Sequence, residues 1–314
     1  MHHIDDNGPR HRKLDRMPAP APDRFAATLS KRNFPVILTG GMDGWPALNS
    51  WNPIDLAHRF GDLEFSPSID FPVSGRPYEQ IWSDYHQKMT LRQFADLIKS
   101  TDKACYIRRQ QISKWPGAGS DFAFDKLFPD DPHGERAFIW FGANTLTPLH
   151  FDTSHGVLCQ LHGTKQVYLI SPQDSKFLYP YAHSCMKSRV LPSKPDLVAF
   201  PNFRKATVLE GDLNPGEMLF LPRCWWHSVV ANGSSISISR EFDESMPWRE
   251  VPRVLSAAGV EAWLATGRDF IWHGLMQRPH QRRLFDDPPF GAVLFNIVKQ
   301  GLLRKFRLNS PEIS

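Results

Sequence analysis

The stretch TPLHFD (Thr147–Asp152) decides the interpretation of this chain, together with the later stretch LPRCWWH (Leu221–His227). The two stretches supply two histidines and one carboxylate, namely His150, Asp152 and His227. Such a set is the facial triad that holds non-heme Fe(II) on one side and leaves coordination positions open for substrate and dioxygen. The pattern therefore predicts an oxygen-using metalloenzyme.

The spacing of His150 and Asp152 suits a β-strand, because residues two apart project to the same face. The third ligand must come from a distant strand, and His227 is followed by Val229 and Val230 in a segment of strand character. This arrangement predicts a small β-barrel. A His-x-Asp sequence alone also arises by chance, in a loop or as a hydrogen-bonded pair, so the surrounding sequence has to carry the assignment.

A hairpin is predicted over residues 156–170, because a two-residue loop at His162-Gly163 separates two apolar runs. In that register Lys165 lies opposite Gln160 and shares a face with apolar residues such as Val167. A lysine among apolar neighbours is costly unless an anion meets it. The anion can be the distal carboxylate of a 2-oxo diacid whose other end chelates the iron. Alternatively, the lysine extends to solvent at the barrel rim.

A series of motifs follows the order seen in one family. They are FPVILTGGMDGWP (Phe34–Pro46), MTLRQF (Met89–Phe94), Thr147–Asp152, GTK (Gly163–Lys165), SPQDS (Ser171–Ser175) and GEMLFLP (Gly216–Pro222) leading to Trp226-His227. Over roughly residues 33–245, the chain resembles the JmjC or cupin-type Fe(II)/2-oxoglutarate oxygenases. Within that family it is similar to the hydroxylase branch that includes the factor-inhibiting asparaginyl hydroxylase.

The resemblance implies a role for each matching residue. It implies that His150, Asp152 and His227 bind Fe(II), that Lys165 and Thr147 bind the carboxylate of 2-oxoglutarate, and that Tyr106 shares this carboxylate. The candidate site implied in this way comprises His150, Asp152, His227, Lys165, Thr147 and Tyr106. The implied reaction uses O2 and 2-oxoglutarate to hydroxylate a C–H bond, with release of succinate and CO2.

The chain departs from its relatives at Gly156, where they often carry an amide side chain six positions after the first histidine. We expect His155 or Gln160 to make the contacts with cosubstrate or substrate that this amide makes in the relatives.

A second hairpin is predicted at Asn232-Gly233, which is a strong turn signal between runs of alternating apolar residues and serines. With a two-residue loop, Arg240 pairs with Trp225 and faces the interior that holds the metal. The pair then lies about 7 Å along the strand from His227 and its paired residue. A buried guanidinium requires a carboxylate partner or an anionic ligand. Arg240 is therefore predicted to anchor 2-oxoglutarate or an acidic substrate group, or else to form an internal ion pair.

Whole-chain properties set the class of protein. The chain has 314 residues, of which 41% are hydrophobic, so it can bury a substantial core. A net charge of +4 from dispersed basic residues gives little support to nucleic-acid binding. No apolar run is long enough for a bilayer and no signal peptide is recognisable, so a cytoplasmic protein is expected, without membrane association. The four cysteines show no Cys-x-x-Cys spacing and are predicted to be reduced thiols.

The predicted fold class is mainly β with flanking helices, a double-stranded β-helix (jelly-roll, cupin or JmjC) core and a helical C-terminal region. The predicted parts are a flexible arm (1–24), an α/β region packed on the barrel (25–129), the double-stranded β-helix (130–245) and the helical region (246–314). Residues 179–204 are predicted to be a long insertion at the barrel, either selecting substrate or forming an inert surface loop.

The sequence does not identify the substrate or the oligomeric state. The substrate is expected to be a protein or peptide side chain, or else a free amino acid or natural-product intermediate, whereas demethylation of methyl-lysine is less favoured. A metal-binding cupin without turnover is the alternative from a different class. An apolar stripe on the last helix is predicted either to pack on its own domain or, as the resemblance implies, to form a homodimer through C-terminal helices.

Overall fold

The computed structural model describes residues 8–79, 82–129, 136–243, 246–279 and 288–308, with side chains up to residue 299 in the last helix. It confirms a mainly β fold with a curled sheet of the jelly-roll type and helices at the C-terminus. The strands are β1 (Arg10–Lys13), β2 (Arg16–Pro18), β3 (Val36–Thr39), β4 (Glu64–Phe65), β5 (Ser68–Ile69), β6 (Met89–Thr90), β7 (Cys105–Gln111), β8 (Ala137–His150), β9 (His155–His162), β10 (Lys165–Ile170), β11 (Pro180–Tyr181), β12 (Ser184–Ser188), β13 (Thr207–Leu213), β14 (Met218–Leu221) and β15 (Trp226–Phe242).

The helices flank this sheet on the N-terminal and C-terminal sides of the sequence. They are α1 (Phe25–Ser30), α2 (Ala47–Ser50), α3 (Pro53–Phe60), α4 (Leu91–Ser100), α5 (Phe124–Leu127), α6 (Glu250–Ala258), α7 (Val260–Asp269) and α8 (Phe290–Leu308), with a π-helical turn (Phe270–Leu275) directly after α7. The predicted capping box is confirmed, because Thr90 and Gln93 cap the first turn of α4 reciprocally. Among the described residues, no helix combines the length and the apolarity needed to cross a lipid bilayer.

The long strand β15 organises the sheet. Most of its length pairs with β8 on one side, from His227 opposite His150 to Arg240 opposite Ala137. On its other side, β10 pairs with the first half of β15 and β9 with the second half. The order across the sheet at the start of β15 is therefore β12, β8, β15, β10 and β13.

The predicted hairpin at His162-Gly163 is wrong. β9 and β10 do not pair with each other but follow one another along β15, so Lys165 lies opposite Leu213 of β13 rather than opposite Gln160. Gly163 has the positive φ (+68°) that a turn also requires. In the structure, the backbone of Gly163 lies very close to β15. A Cβ at this position would collide with the carbonyl oxygen of Ser234.

The predicted hairpin at Asn232-Gly233 is wrong for a related reason. These residues lie inside the continuous strand β15, where the register against β8 shifts between Ala231 and Ser234. The side chain of Asn144 on β8 accepts a hydrogen bond from the backbone N–H of Gly233 at 2.8 Å. Two residues of β15 thus lie opposite one residue of β8, and the one extra residue forms a bulge that bends the strand instead of reversing it.

The predicted flexible arm is wrong for the part that the structure describes. β1 pairs in parallel with β13, and β2 pairs in parallel with β3, so residues 10–18 extend the sheet at both ends. Added strands satisfy backbone groups that an open sheet edge leaves unpaired. Residues 1–7, 130–135 and 244–245 lie outside the described residues, so the domain boundaries there stay predictions.

The N-terminal helices pack on the barrel through a shared apolar core. Phe94 of α4 meets Phe141 of β8 edge to face, with 5.2 Å between ring centroids. A second apolar cluster joins the barrel to α6 and α8 through Trp226, Val254 and Phe290. The predicted insertion also joins the barrel, because its strand β12 pairs with β8 at His150.

Candidate metal centre

The pairing of β8 with β15 brings the two histidines together. His150 is the last residue of β8 and lies directly opposite His227, the second residue of β15. Directly paired residues of antiparallel strands project to the same face. The two imidazole rings accordingly lie 4.2 Å apart between centroids.

Asp152 completes the cluster from the segment that follows β8. Its Oδ2 atom lies 3.6 Å from Nε2 of His227, and one ligand atom from each of the three residues lies within 4.8 Å of the others. The backbone is fixed here, because the N–H of Cys224 donates to the carbonyl of Asp152 at 2.8 Å. The two ligand stretches are thus joined directly to each other beside the candidate site.

Backbone carbonyls orient both imidazoles. Nδ1 of His150 lies 2.9 Å from the carbonyl oxygen of Pro148, and Nδ1 of His227 lies 3.0 Å from that of Trp225. With Nδ1 donating in each ring, Nε2 keeps its lone pair for a metal, which is the usual arrangement of metal-binding histidines. Two imidazole nitrogens and one carboxylate oxygen on one side fit Fe(II) with open positions.

Lys165 lies inside the barrel on the same face as the metal ligands. It shares that face with Val167 and Leu169, as predicted, and Leu169 pairs with His227. Lys165 is only 2% exposed, and burial lowers the pKa of its ammonium from 10.5 to about 7. Within the part of the chain that the structure describes, no carboxylate contacts this ammonium. An anionic ligand at Lys165 would offset the cost of burying the charge.

Tyr106 and Thr147 come together on two adjacent strands. The phenol oxygen of Tyr106 on β7 lies 3.5 Å from Oγ1 of Thr147 on β8. Thr147 pairs with Val229 of β15, which pairs in turn with Val167 two residues from Lys165. Burial raises the pKa of Tyr106 to about 12, so the phenol stays protonated and can donate to an anion.

The predicted position of Arg240 beside the metal is wrong. Because β15 does not turn at Asn232-Gly233, Arg240 lies at the opposite end of this strand from His227. There the guanidinium lies over the ring of Phe128, 4.8 Å from its centroid, and donates to the carbonyl of Glu241. Arg240 belongs to the far end of the core and not to the site.

The residues proposed to replace the missing amide at Gly156 have structural contacts instead. Gln160 is fully buried, donates to the carbonyls of His162 and Gly163, both at 2.7 Å, and accepts from the hydroxyl of Ser237 at 2.6 Å. These bonds support the bend between β9 and β10. His155 lies against Arg223, and burial, followed by the charge of Arg223, lowers the pKa of His155 to about 4.

One residue beside the site was missed in the sequence. Lys187 of β12 lies opposite His150 and is 7% exposed. The surrounding insertion has no apolar periodicity, so nothing local in the sequence indicated a strand or a partner for it. Only its pairing with β8 shows where it lies.

Comparisons with known proteins agree with this geometry. Residues 22–246 match the cupin-like domain family. The chain is 25% identical over 238 residues to the Jumonji C domain-containing protein 5 of Drosophila melanogaster, covering 72% of this chain and 59% of that protein. The chain belongs to the cupin-like JmjC domain family. Its resemblance to this family in the sequence is thereby confirmed, whereas the hydroxylase branch stays a prediction.

Other JmjC relatives carry different names. The chain is 30% identical over 240 residues to lysine-specific demethylase 8 of Danio rerio, covering 73% of this chain and 58% of that protein. It is 34% identical over 169 residues to HSPB1-associated protein 1 of Homo sapiens, covering 52% of this chain and 31% of that protein. The chain thus spans less than two thirds of the length of these relatives.

Proposed function

We propose that this JmjC protein is an Fe(II)- and 2-oxoglutarate-dependent dioxygenase that hydroxylates a C–H bond of a protein or peptide side chain. The observation that carries the proposal is the cluster of His150, Asp152 and His227, whose ligand atoms lie within 4.8 Å of one another while backbone carbonyls hold both Nδ1 atoms. The buried ammonium of Lys165 on the same face supports 2-oxoglutarate as the cosubstrate.

Each residue of the site then has a defined task. Bound iron and 2-oxoglutarate supply, with O2, the oxidising power, and one oxygen atom enters the substrate while the other enters succinate as CO2 leaves. His150, Asp152 and His227 would hold the metal from one side and leave its other positions open. Lys165 pairs with the distal carboxylate, while Tyr106 and Thr147 donate hydrogen bonds to it. The apolar barrel wall around Lys165 excludes water and strengthens this ion pair.

We propose hydroxylation rather than demethylation as the outcome, although the relative from Danio rerio is named a lysine-specific demethylase. The mass of the product distinguishes the two reactions, because hydroxylation adds one oxygen atom to a peptide whereas demethylation removes a methyl group.

The decisive measurement combines succinate formation with product mass. We expect the protein, given Fe(II), ascorbate, O2 and 2-oxoglutarate, to form succinate and to add one oxygen atom to a member of a peptide library, as read by mass spectrometry. Loss of a methyl group from methyl-lysine peptides would instead favour demethylation. Oxidation of free amino acids alone would favour the small-molecule alternative, and the absence of succinate under every condition would favour a binding cupin.

We also propose that the chain forms a homodimer through its C-terminal helices and acts in the cytoplasm. Along α7 and the following π-helical turn, exposed apolar residues recur every three or four positions over part of the length: Val260, Trp263, Leu264, Ile271, Trp272, Leu275 and Met276. A second copy presents the same stripe, as an interface with twofold symmetry requires.

We expect Leu264→Glu, at a position that is 70% exposed, to convert a dimer into a monomer in light scattering, while the circular-dichroism spectrum stays that of the folded chain. Val198→Glu, at an exposed apolar residue outside the helices, serves as the matched control. A monomeric wild-type chain at high concentration would contradict the dimer.

A further inference from the structure

Gly156 lies in the barrel wall at the end that holds the metal ligands. It follows Asp152 by four residues, which span at most about 14 Å. On β14 it pairs with Leu221, and the loop after Leu221 is tied to Asp152, because the N–H of Cys224 donates to the Asp152 carbonyl. Gly156 is thus held close to the metal ligands by two separate segments of the chain.

The face of β9 that carries Gly156 is the inner face of the barrel. Leu158, two residues further along β9, lies in the apolar cluster of Val167 and Leu169, which share a face with Lys165. Side chains two residues apart in a strand project to the same side. A side chain at position 156 would therefore point into the barrel, where the metal ligands also lie.

The space above Gly156 is open among the described residues. Apart from atoms of the adjacent residues, a Cβ at this position would have one neighbour within 4 Å, the backbone carbonyl oxygen of Arg240 at 3.9 Å. The two residues expected to replace the amide of the relatives do not fill this space. His155 projects to the other face of β9, and Gln160 is held near the other end of β9 by its hydrogen bonds to His162 and Gly163.

The side chains around this opening are apolar or directed away from it. Gly156 lies opposite Leu221 on one side and opposite Glu241 on the other. The carboxylate of Glu241 accepts a hydrogen bond from Arg109 of β7 at 2.6 Å. Because β8 lies between β15 and β7, this bond directs the carboxylate away from β9. The opening is therefore bordered by the apolar side chains of Leu158 and Leu221.

We propose that Gly156 sets the substrate class of the site by admitting a large apolar side chain, such as that of leucine, at the residue that is hydroxylated. This inference rests on the proposed function and names the substrate of that site. A leucine side chain above Gly156 is removed from water against Leu158 and Leu221, whereas an amide of similar size loses its hydrogen bonds to water there. A side chain on residue 156 would fill the same space and exclude the substrate.

The test compares degenerate peptide libraries whose central residue is fixed as leucine, asparagine or alanine. Binding of labelled libraries to the full chain with Fe(II) and 2-oxoglutarate is measured by fluorescence anisotropy under nitrogen, so that no turnover occurs. We expect the wild type to bind the leucine library about tenfold or more tightly than either other library, because at least two more CH2 groups are buried than with alanine and no amide is desolvated. Gly156→Leu should remove this preference, and Gly156→Ala should reduce it.

The controls separate this inference from its alternatives. Gly119→Leu, at an exposed glycine where a Cβ also meets open space, should keep the preference. Equal binding of the three libraries by the wild type overturns the proposal, even if the variants fail to fold. A loss of affinity for 2-oxoglutarate in Gly156→Leu, measured by calorimetry, also overturns it, because the space would then belong to the cosubstrate.

The same libraries distinguish this inference from the proposed function. Selective binding of the leucine library without any succinate formation in air would contradict the proposed function and leave the selectivity intact. Succinate formation without selectivity would contradict only the role of Gly156.

Discussion

Replacing His150 by alanine is expected to remove tight metal binding and to reduce succinate formation to background. The ring contributes one of three ligands, and its loss would leave Asp152 and His227 as a two-ligand site. Changes to residues that merely orient metal ligands cost about 10- to 100-fold in affinity or activity, so loss of a ligand should cost roughly 100-fold or more. Titration with Fe(II) under nitrogen, followed by the succinate assay in air, measures both effects.

His162→Ala is the matched control for this experiment. His162 is a half-buried histidine at the far end of β9, and its side chain is not part of the triad. This variant should bind Fe(II) and form succinate like the wild type. Wild-type rates in His150→Ala would refute the assignment of the metal site.

Lys165→Met is expected to raise the KM for 2-oxoglutarate by about 30-fold or more, because removing one partner of a buried charge pair costs roughly 2–5 kcal/mol. The metal affinity should stay unchanged, since Lys165 lies several residues along β10 from the position opposite His227. Lys99→Met, at an exposed lysine of α4, provides the control. An unchanged KM in Lys165→Met would exclude this lysine as the carboxylate partner.

The same lysine predicts a pH dependence. Burial lowers the pKa of Lys165 from 10.5 to about 7, so the folded protein binds fewer protons than the unfolded chain between these values. The free energy of unfolding without cosubstrate should therefore gain up to about 1.4 kcal/mol per pH unit from this group as pH rises above 7. Over the same range the affinity for 2-oxoglutarate should fall by up to about tenfold per unit, because the ligand requires the ammonium.

Both trends should disappear in Lys165→Met. Calorimetric titration with 2-oxoglutarate at several pH values, combined with denaturant unfolding, compares the two proteins. A wild-type affinity that is constant from about pH 7 to about pH 9 would contradict a neutralised lysine.

The candidate site was largely predictable because its signals are local. The His-x-Asp spacing places two ligands on one side of the chain, and the alternation of Lys165 with Val167 and Leu169 fixes the face of the lysine whichever strand lies beside it. The structure brings these side chains to the face that the sequence indicated. Such inferences survive errors in strand pairing.

Strand pairing itself was not predictable from the turn signals. Gly163 and Gly233 both need a positive φ, +68° and +89°, and a hairpin turn and a bulge meet that need equally well. A contact with a residue that is distant in the sequence decides between the turn and the bulge. At Gly233 this residue is Asn144 of β8, whose side chain accepts a hydrogen bond from the backbone N–H of Gly233. The positions of Arg240 and Lys187 depend on such distant contacts, so the first was misplaced and the second was missed.

The pairing of β8 with β15 has a consequence for how the protein matures. His150 and His227 are separated in the chain by all the strands from β9 to β14, so they meet only through contacts of long sequence separation. Proteins dominated by such contacts fold slowly. A divalent cation that needs both histidines binds the closed barrel and not the unfolded chain, and so shifts the folding equilibrium toward the closed form. Supply of metal during synthesis should therefore raise the yield of folded protein as well as its activity.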